Sequence, residues 1–298
     1  MDRVLISGAS GPIGGATVPS LKQAGIDVVR LVRSEARGAG QISWNPALEL
    51  APEAVSGLGA VIHLAGESVV GRWTDAKKNA IRQSRVLGTR TVATALARTE
   101  SKPRVFVCAS AIGFYGDRGD AVLTEESASG SGFLPDVCRE WEEASRICAA
   151  AGIRTVNIRI GLVLSAHGGA LAKMLPIFKL GLGGRLGSGK QWWSWIHVDD
   201  IAGAIHHVMR TEDIAGAVNL VAPNSLRNEE FTEVLASVVR RPAFFPVPEF
   251  ALRIAFGSSA ARELFLSSQR VVPAKLSGTG YNFRFTDLTA ALTDVVKD

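Results

Sequence analysis

Tyrosine is scarce in this sequence, with Tyr115 and Tyr281 the only 2 among 298 residues. A phenolic acid or base therefore has few candidates. Cysteine is nearly as rare: Cys108, Cys138 and Cys148 are odd in number and lack the paired spacing of metal ligands. That excludes a disulfide scaffold and a zinc module, and it fits a reduced cytosolic or organellar setting, the cytoplasm being the one expected. No apolar run approaches the roughly 20 residues of a membrane-spanning helix, so no membrane partner is expected. Met1-Asp2-Arg3 leads into a strand-like run rather than a secretory leader. Blocks of like charge are missing too. The net charge of +5 is spread along the chain without aromatic interleaving, which argues for an anionic small-molecule ligand and against nucleic acid.

What is present is a globular composition, 47% hydrophobic and 20% charged, with 31 glycines. Short apolar runs alternate with helical stretches, the rhythm of a parallel sheet with crossover helices. Strands are expected at Val4–Ile6, Val28–Val32, Ala60–Leu64, Val105–Ala109, Thr155–Ile160 and Val218–Val221. Helices are expected at Gly14–Ala24, Asp75–Ala97, Asp136–Ala151 and Asn228–Arg240. Asp199 and Asp200 are the expected caps of a helix beginning at Ile201. The fold class is α/β, a Rossmann-type doubly wound parallel sheet with a smaller integral C-terminal cap. Residues 1–166 form the dinucleotide-binding domain, rejoined by 196–222, and 167–195 with 223–298 form the substrate-binding cap.

Gly8-Ala9-Ser10-Gly11-Pro12-Ile13-Gly14 follows the first strand and opens the first helix. In that context Gly8 permits the tight turn, Gly11 lets backbone amides approach a pyrophosphate, and Gly14 allows close helix–strand packing. The helix N-terminus adds partial positive charge. Ser10 offers a hydroxyl donor, and Pro12 and Ile13 complete the cradle. The second strand ends in Arg33-Ser34, where an NAD site usually carries an acid for the ribose hydroxyl. A guanidinium there suits a 2′-phosphate, so the expected cofactor is NADP(H). A solvent-facing arginine is the plainer alternative, and Glu35 nearby keeps NAD open.

With these motifs placed, the chain resembles an atypical extended short-chain dehydrogenase/reductase. More narrowly, it is similar to the YfcH-type epimerase family of the NAD-dependent epimerase/dehydratase superfamily. The features are the glycine turn, His63-Leu64-Ala65-Gly66, Ser110 with Phe114-Tyr115-Gly116, and Arg159-Ile160-Gly161. Gly71-Arg72-Trp73, Ser84-Arg85, Trp141-Glu142, Gly183-Gly184, Gln191-Trp192, Trp195-Ile196-His197-Val198-Asp199-Asp200 and Arg270–Leu276 extend it across the chain. The resemblance implies a Rossmann fold and NADP(H) bound with help from Leu64, Ala65 and Gly66. It leaves the substrate unassigned.

The superfamily's chemistry uses a tyrosine acid–base, a lysine four residues later and a serine or threonine. No Tyr-x-x-x-Lys occurs here: Gly119 follows Tyr115 at that spacing and Phe285 follows Tyr281. In the helix where the dyad belongs stand Cys138 and Glu142, and Ala111 takes the usual serine position beside Ser110. Tyr115 and Ser110 are the catalytic candidates that remain. Each has a plainer reading, a wedged ring and a strand-end hydrogen bond. Cys138 reads as a buried inert thiol, and Glu142 as a partner of Arg139 or Arg146 on its own helix.

Arg185 and Lys190 in a glycine-rich loop, with Trp193 and His197 after it, are candidates for the substrate. The loop scans as G-x-x-x-x-G-K, but Gln191 stands where a P-loop needs Ser or Thr. Nucleotide-triphosphate hydrolysis is rejected, and no metal site is expected. An epimerase-like oxidoreductase is the first functional expectation. A non-catalytic NADP(H)-binding regulator or sensor is the rival.

Overall fold

The computed structural model describes residues 2–297. Its first strand, β1 (Arg3–Ser7), is buried from Val4 onward, as a strand covered on both faces must be. Helix α1 (Pro12–Gln23) starts with proline at its first position, where no amide hydrogen is needed. It buries Gly14, Thr17, Val18 and Leu21, a helical stripe. It stops at Gly25, whose φ of +75° suits only glycine comfortably.

Strands β2 (Asp27–Val32), β3 (Gln41–Ser43) and β4 (Ala60–His63) follow, then helix α2 (Asp75–Arg98) with Thr74 capping it through the Lys77 amide. Next come β5 (Val105–Ala111), the short β6 (Val122–Leu123), helix α3 (Phe133–Ala150) and β7 (Arg154–Ile160). After β8 (Leu162–Leu164) and α4 (Gly169–Lys179) the chain forms β9 (Trp192–Trp193), β10 (Trp195–His197), α5 (Val198–Arg210) and β11 (Gly216–Leu220). The C-terminal part holds β12 (Leu226–Arg227), α6 (Asn228–Val239), α7 (Glu249–Phe256), α8 (Ser258–Ala260), β13 (Arg270–Val271), α9 (Ala274–Gly278) and α10 (Leu288–Lys297).

Seven strands form one sheet in the order β11-β7-β5-β4-β1-β2-β3. Every pairing in it is parallel. Helices α1 and α5 pack together, and α2 packs on α3, which places a helical layer on each face. The chain leaves β1 toward β2 and β3, then returns to the other side of β1 as β4. That reversal opens a crevice at the strands' carboxyl ends, where open α/β sheets bind ligands. The Rossmann-type sheet expected from the sequence is therefore present.

A second buried cluster lies beyond the sheet, built from Leu171, Leu175, Phe178, Trp195, Phe231, Leu235, Phe285, Leu288 and Leu292 among others. Leu276, late in the chain, instead joins the main core. Helix α5 departs from expectation: it starts at Val198, not Ile201, and its cap is His197, whose Nδ1 accepts from the Asp199 amide at 3.2 Å. Asp200 is buried and accepts from the Arg284 and Phe285 amides at 2.7 and 2.9 Å. It sews the C-terminal segment to the core instead of capping.

Candidate functional site

The glycine turn divides into positions the protein itself needs and one it does not. Gly8 has φ +70°, and a Cβ there would lie 2.8 Å from the Leu64 carbonyl. A Cβ on Gly14 would lie 2.4 Å from the Gly8 carbonyl oxygen. Both clashes are with backbone, so neither site admits a side chain. A Cβ on Gly11 would meet only the Gly8 carbonyl oxygen, at 3.5 Å. Gly11 is the N-cap of α1, with extended backbone, no side-chain cap and no acid in the first turn. The first amides of α1 thus keep their partial positive charge for something outside the chain. Ser10 is exposed, and Pro12 and Ile13 are half-buried beside it.

Behind the turn, Ser7 at the end of β1 and His63 at the end of β4 lie in register. The Ser7 hydroxyl sits 2.8 Å from His63 Nδ1 and accepts from the Leu64 and Ala65 amides at 3.1 and 3.3 Å. Burial holds the His63 pKa down at about 4, so the ring is neutral. This seat aligns Leu64 and Ala65 beside the glycine turn, with Gly66 exposed at its edge. Arg33 lies beyond the end of β2, exposed, with no hydrogen bond or ion pair among the described residues. The Ser34 carbonyl accepts from Ser43 and braces that corner.

The other end of the crevice is saturated. Ser110 donates to Glu142 Oε1 at 2.7 Å, and Arg159 grips both carboxylate oxygens at 2.9 Å each. The same guanidinium donates to the Tyr115 hydroxyl at 3.0 Å, which donates to Asn219 at 2.7 Å. The Asn219 amide in turn reaches Glu125 at 3.1 Å. Arg159 also stacks 3.5 Å from the Phe114 ring centroid. Tyr115 is 0% exposed, and burial pushes its pKa up. The sequence expectation that Tyr115 delivers a proton does not fit: its hydroxyl is enclosed and spent. Glu142 is also corrected, for it pairs with Arg159 on β7, while Arg139 takes Asp136 and Arg146 takes Glu143. Ser110 is 3% exposed. Cys138 is buried, its thiol pushed up to about 12 by desolvation, and so it stays neutral.

The four substrate candidates scatter. Arg185 spends its guanidinium on the Ser188 and Gly187 carbonyls of its own loop. Trp193 packs edge-on against Phe231, 5.3 Å between centroids, in the second core. His197 is enclosed, its ring 4.0 Å from Phe285 and its Nε2 3.4 Å from Asp294. Donor atoms of His197, Asp199 and Asp294 gather within 4.8 Å, but Arg284 already holds Asp199 at 2.7 Å. The structure thus places Trp193 and His197 in packing roles. Lys190 alone of the four keeps an exposed head with no bond to any of the described residues.

Arginines on strands and helices were the residues that pattern reading passed over as functional. Arg159 places a full charge in the buried strand Val156-Asn157-Ile158-Arg159-Ile160, and that charge is the available signal. Arg85 is held by the Glu67 carbonyl at 2.9 Å, and a Cβ on Gly66 would lie 3.4 Å from its Cζ. Two larger hollows lie elsewhere. One of 690 Å³ at the amino ends of the strands is lined by Arg104, Arg154, His206 and Arg210. One of 840 Å³ beside α3 and β11 is lined by Asn157, Arg159 and Ala217. Neither includes the glycine turn.

A profile of the NAD dependent epimerase/dehydratase family matches residues 4–220, and a domain of unknown function, DUF1731, matches residues 247–295. The chain is 37% identical over 291 residues to the epimerase family protein Mb2239 of Mycobacterium bovis, covering 97% of this chain and 96% of that one. A chloroplastic epimerase family protein, the SDR39U1 homolog of Arabidopsis thaliana, is 37% identical over 304 residues, 99% of this chain and 86% of its own. A chloroplastic protein is thus among the relatives. The crystal structure of human epimerase family protein SDR39U1 (isoform 2) with NADPH has a TM-score of 0.92, 33% identity and 99% coverage of both chains. Among the described residues, no helix is long and apolar enough to cross a membrane.

Proposed function

The chain belongs to the NAD dependent epimerase/dehydratase family, and on that premise we propose that it is an NADP(H)-binding, epimerase-like oxidoreductase acting on a small substrate. One observation carries this reading. The N-terminus of α1 is uncapped, and a Cβ on Gly11 would fill space that no protein neighbour claims beyond one carbonyl at 3.5 Å. The residues present fit the group. The α1 amides and Gly11 would hold the pyrophosphate with Leu64, Ala65 and Gly66 beside it, and Arg33 with Ser34 and Ser10 would hold the 2′-phosphate. The human relative solved with NADPH is consistent with that choice.

A bound nicotinamide would supply hydride exchange with the substrate, chemistry that the protein's own side chains lack. The chain binds and orients. Ser110, pinned by Glu142, holds the end of β5 in place, and Lys190 offers a charge for an anionic substrate group. Tyr115 shapes the site from behind. Proton exchange falls to solvent, because the enclosed phenol and the neutral Cys138 thiol do not serve it.

Titration of the wild type and Arg33→Ala with NADPH and NADH tests the reading. Loss of a charge-assisted phosphate contact should weaken NADPH by roughly one to two decades and leave NADH unchanged. Equal wild-type affinity for the two would sink the NADP(H) assignment. A second reading, a non-catalytic NADP(H)-binding regulator, is favoured by the saturation of Ser110, Glu142 and Tyr115. Tight NADPH binding without absorbance change at the nicotinamide band across a carbonyl panel would select it.

A further inference from the structure

We propose that the outer face of the cap, from the end of α4 across the segment after α6 to α7, is a self-association surface whose occupant is a second copy of this chain in two-fold pairing.

Apolar burial drives both folding and association, so a fold that leaves many large apolar side chains out on one face marks a contact surface. Among the described residues ten such side chains are exposed, and seven of them belong to two short segments. Ile177, Leu180 and Leu182 come from the end of α4 and the loop beyond it. Phe244, Phe245, Phe250 and Ile254 come from the loop after α6 and from α7. Each is between 50% and 82% exposed. Helix α7 is the clearest case. Leu252 is its one buried residue, and Phe250 and Ile254, four positions apart, form an outward apolar stripe.

The two segments make one surface because their backbones are tied together. Arg241 Nε donates to the Lys179 carbonyl at 3.2 Å, the Phe245 amide to the Gly183 carbonyl at 3.2 Å, and the Val247 amide to the Arg185 carbonyl at 2.9 Å. A Cβ on Gly184 would collide with the Phe245 carbonyl, so the contact is backbone against backbone. Pro242, Pro246 and Pro248 stiffen the second segment. The apolar side chains thus stand on a preorganised frame, which lowers the ordering cost of association. At its far end α7 meets the loop beyond β4, where Arg72 Nη1 donates to the Ile254 carbonyl at 2.9 Å.

Area and charge name the occupant. At these exposures the seven side chains present on the order of 800 Å² on each copy, taking roughly 150–250 Å² for a whole large side chain. That exceeds the roughly 300–600 Å² of the largest apolar patch on an ordinary monomer. It matches the about 800 Å² that each partner buries in a stable complex. Exposed cations gather at one end, Lys179, Arg240 and Arg241, whereas the α7 end carries the Arg253–Glu249 pair at 3.1 Å. Antiparallel two-fold pairing sets the cationic end of one copy across from the neutral pair of the other, so like charges do not meet.

Sedimentation velocity of the full chain over a concentration series tests this. The samples are wild type, Phe244→Asp, Phe250→Asp and, as a control, Leu48→Asp, which replaces an exposed apolar residue outside the surface. Urea midpoints confirm that each variant is folded. Wild type should sediment at twice the chain mass. Each substitution enters a two-fold interface twice, so Phe244→Asp and Phe250→Asp should each raise the dimer dissociation constant about a hundredfold or more. Leu48→Asp should leave it unchanged. A monomeric wild type overturns the proposal, as does a dimer that withstands both cap variants or dissociates equally with Leu48→Asp. A monomer that co-sediments with phosphatidylserine–phosphatidylcholine vesicles, and no longer does so as Phe250→Asp, would also overturn it and give the surface to an anionic membrane.

Discussion

Arg33 and Arg159 show how differently the two ends of one crevice use the same side chain. Beyond β2, Arg33 is exposed and none of its five donors has a partner among the described residues. On β7, Arg159 is 4% exposed and holds Glu142, Tyr115 and the Glu125 carbonyl. The first end has uncapped amides, an empty contact surface at Gly11 and a spare cation. The second has a serine, a carboxylate, a phenol and an amide closed on one another. Polar groups left unspent by the fold mark where a ligand completes the structure, whereas spent ones hold it together. By that criterion the cofactor end is built for binding and the Tyr115 end for shape.

The sharpest way to break this contrast is Arg159→Met. Removing the cation strands a mostly buried carboxylate, so unfolding free energy should fall by about 3–5 kcal/mol in urea titration. A loss below about 1 kcal/mol would show that the network is not structural. Next come the two glycines of one turn. Gly14→Ala forces a Cβ onto backbone at 2.4 Å and should cost about 3 kcal/mol. Gly11→Ala should cost less than about 1 kcal/mol yet abolish most of the thermal stabilisation by NADPH. The reverse pattern would make Gly11 the structural residue.

His63 beneath the turn provides a pH test of similar kind. Its folded pKa of about 4 lies below its ordinary value of 6.5, because burial disfavours the cation. Between those values the unfolded chain binds the extra proton, so stability is complete above pH 6.5 and falls as pH drops toward 4. Wild type should lose about 2 kcal/mol from pH 7 to pH 5 through this group, and His63→Asn should lose that much less over the same interval. Equal slopes would refute a neutral, buried ring. The smallest effect expected is Tyr115→Phe. It deprives Asn219 and Arg159 of one partner and should lower stability by about 1 kcal/mol, with NADPH affinity unchanged. A fall in turnover without a fall in stability would return Tyr115 to the chemistry.

Much of the cofactor end was legible in the residues. Strand, glycine turn and helix are contiguous, and their steric demands operate within seven positions, so Gly8, Gly11 and Gly14 announce their geometry. The catalytic end was not legible, and Tyr115 shows why. A tyrosine after a strand looks available in one dimension. Its partner Asn219 lies 104 positions away, and no local pattern signals that contact. Glu142 misled in the same way: local i,i+4 logic offered Arg146, while the real partner came from β7 across the sheet face. His197 was near the crevice in sequence order, but its ring turned inward to cap α5 against Phe285.

The sequence by itself determined the parallel α/β sheet, the dinucleotide turn, the arginine beyond the second strand and the absence of a tyrosine–lysine dyad. Each depends on periodicity, backbone sterics or simple residue identity, and these act over a few positions. Only the tertiary structure decided which donors remain free. Hydrogen bonds such as those of Arg159 and Arg85 depend on strand register and on which helix faces which strand, and a polar group's availability is what is left after those long-range partners are satisfied.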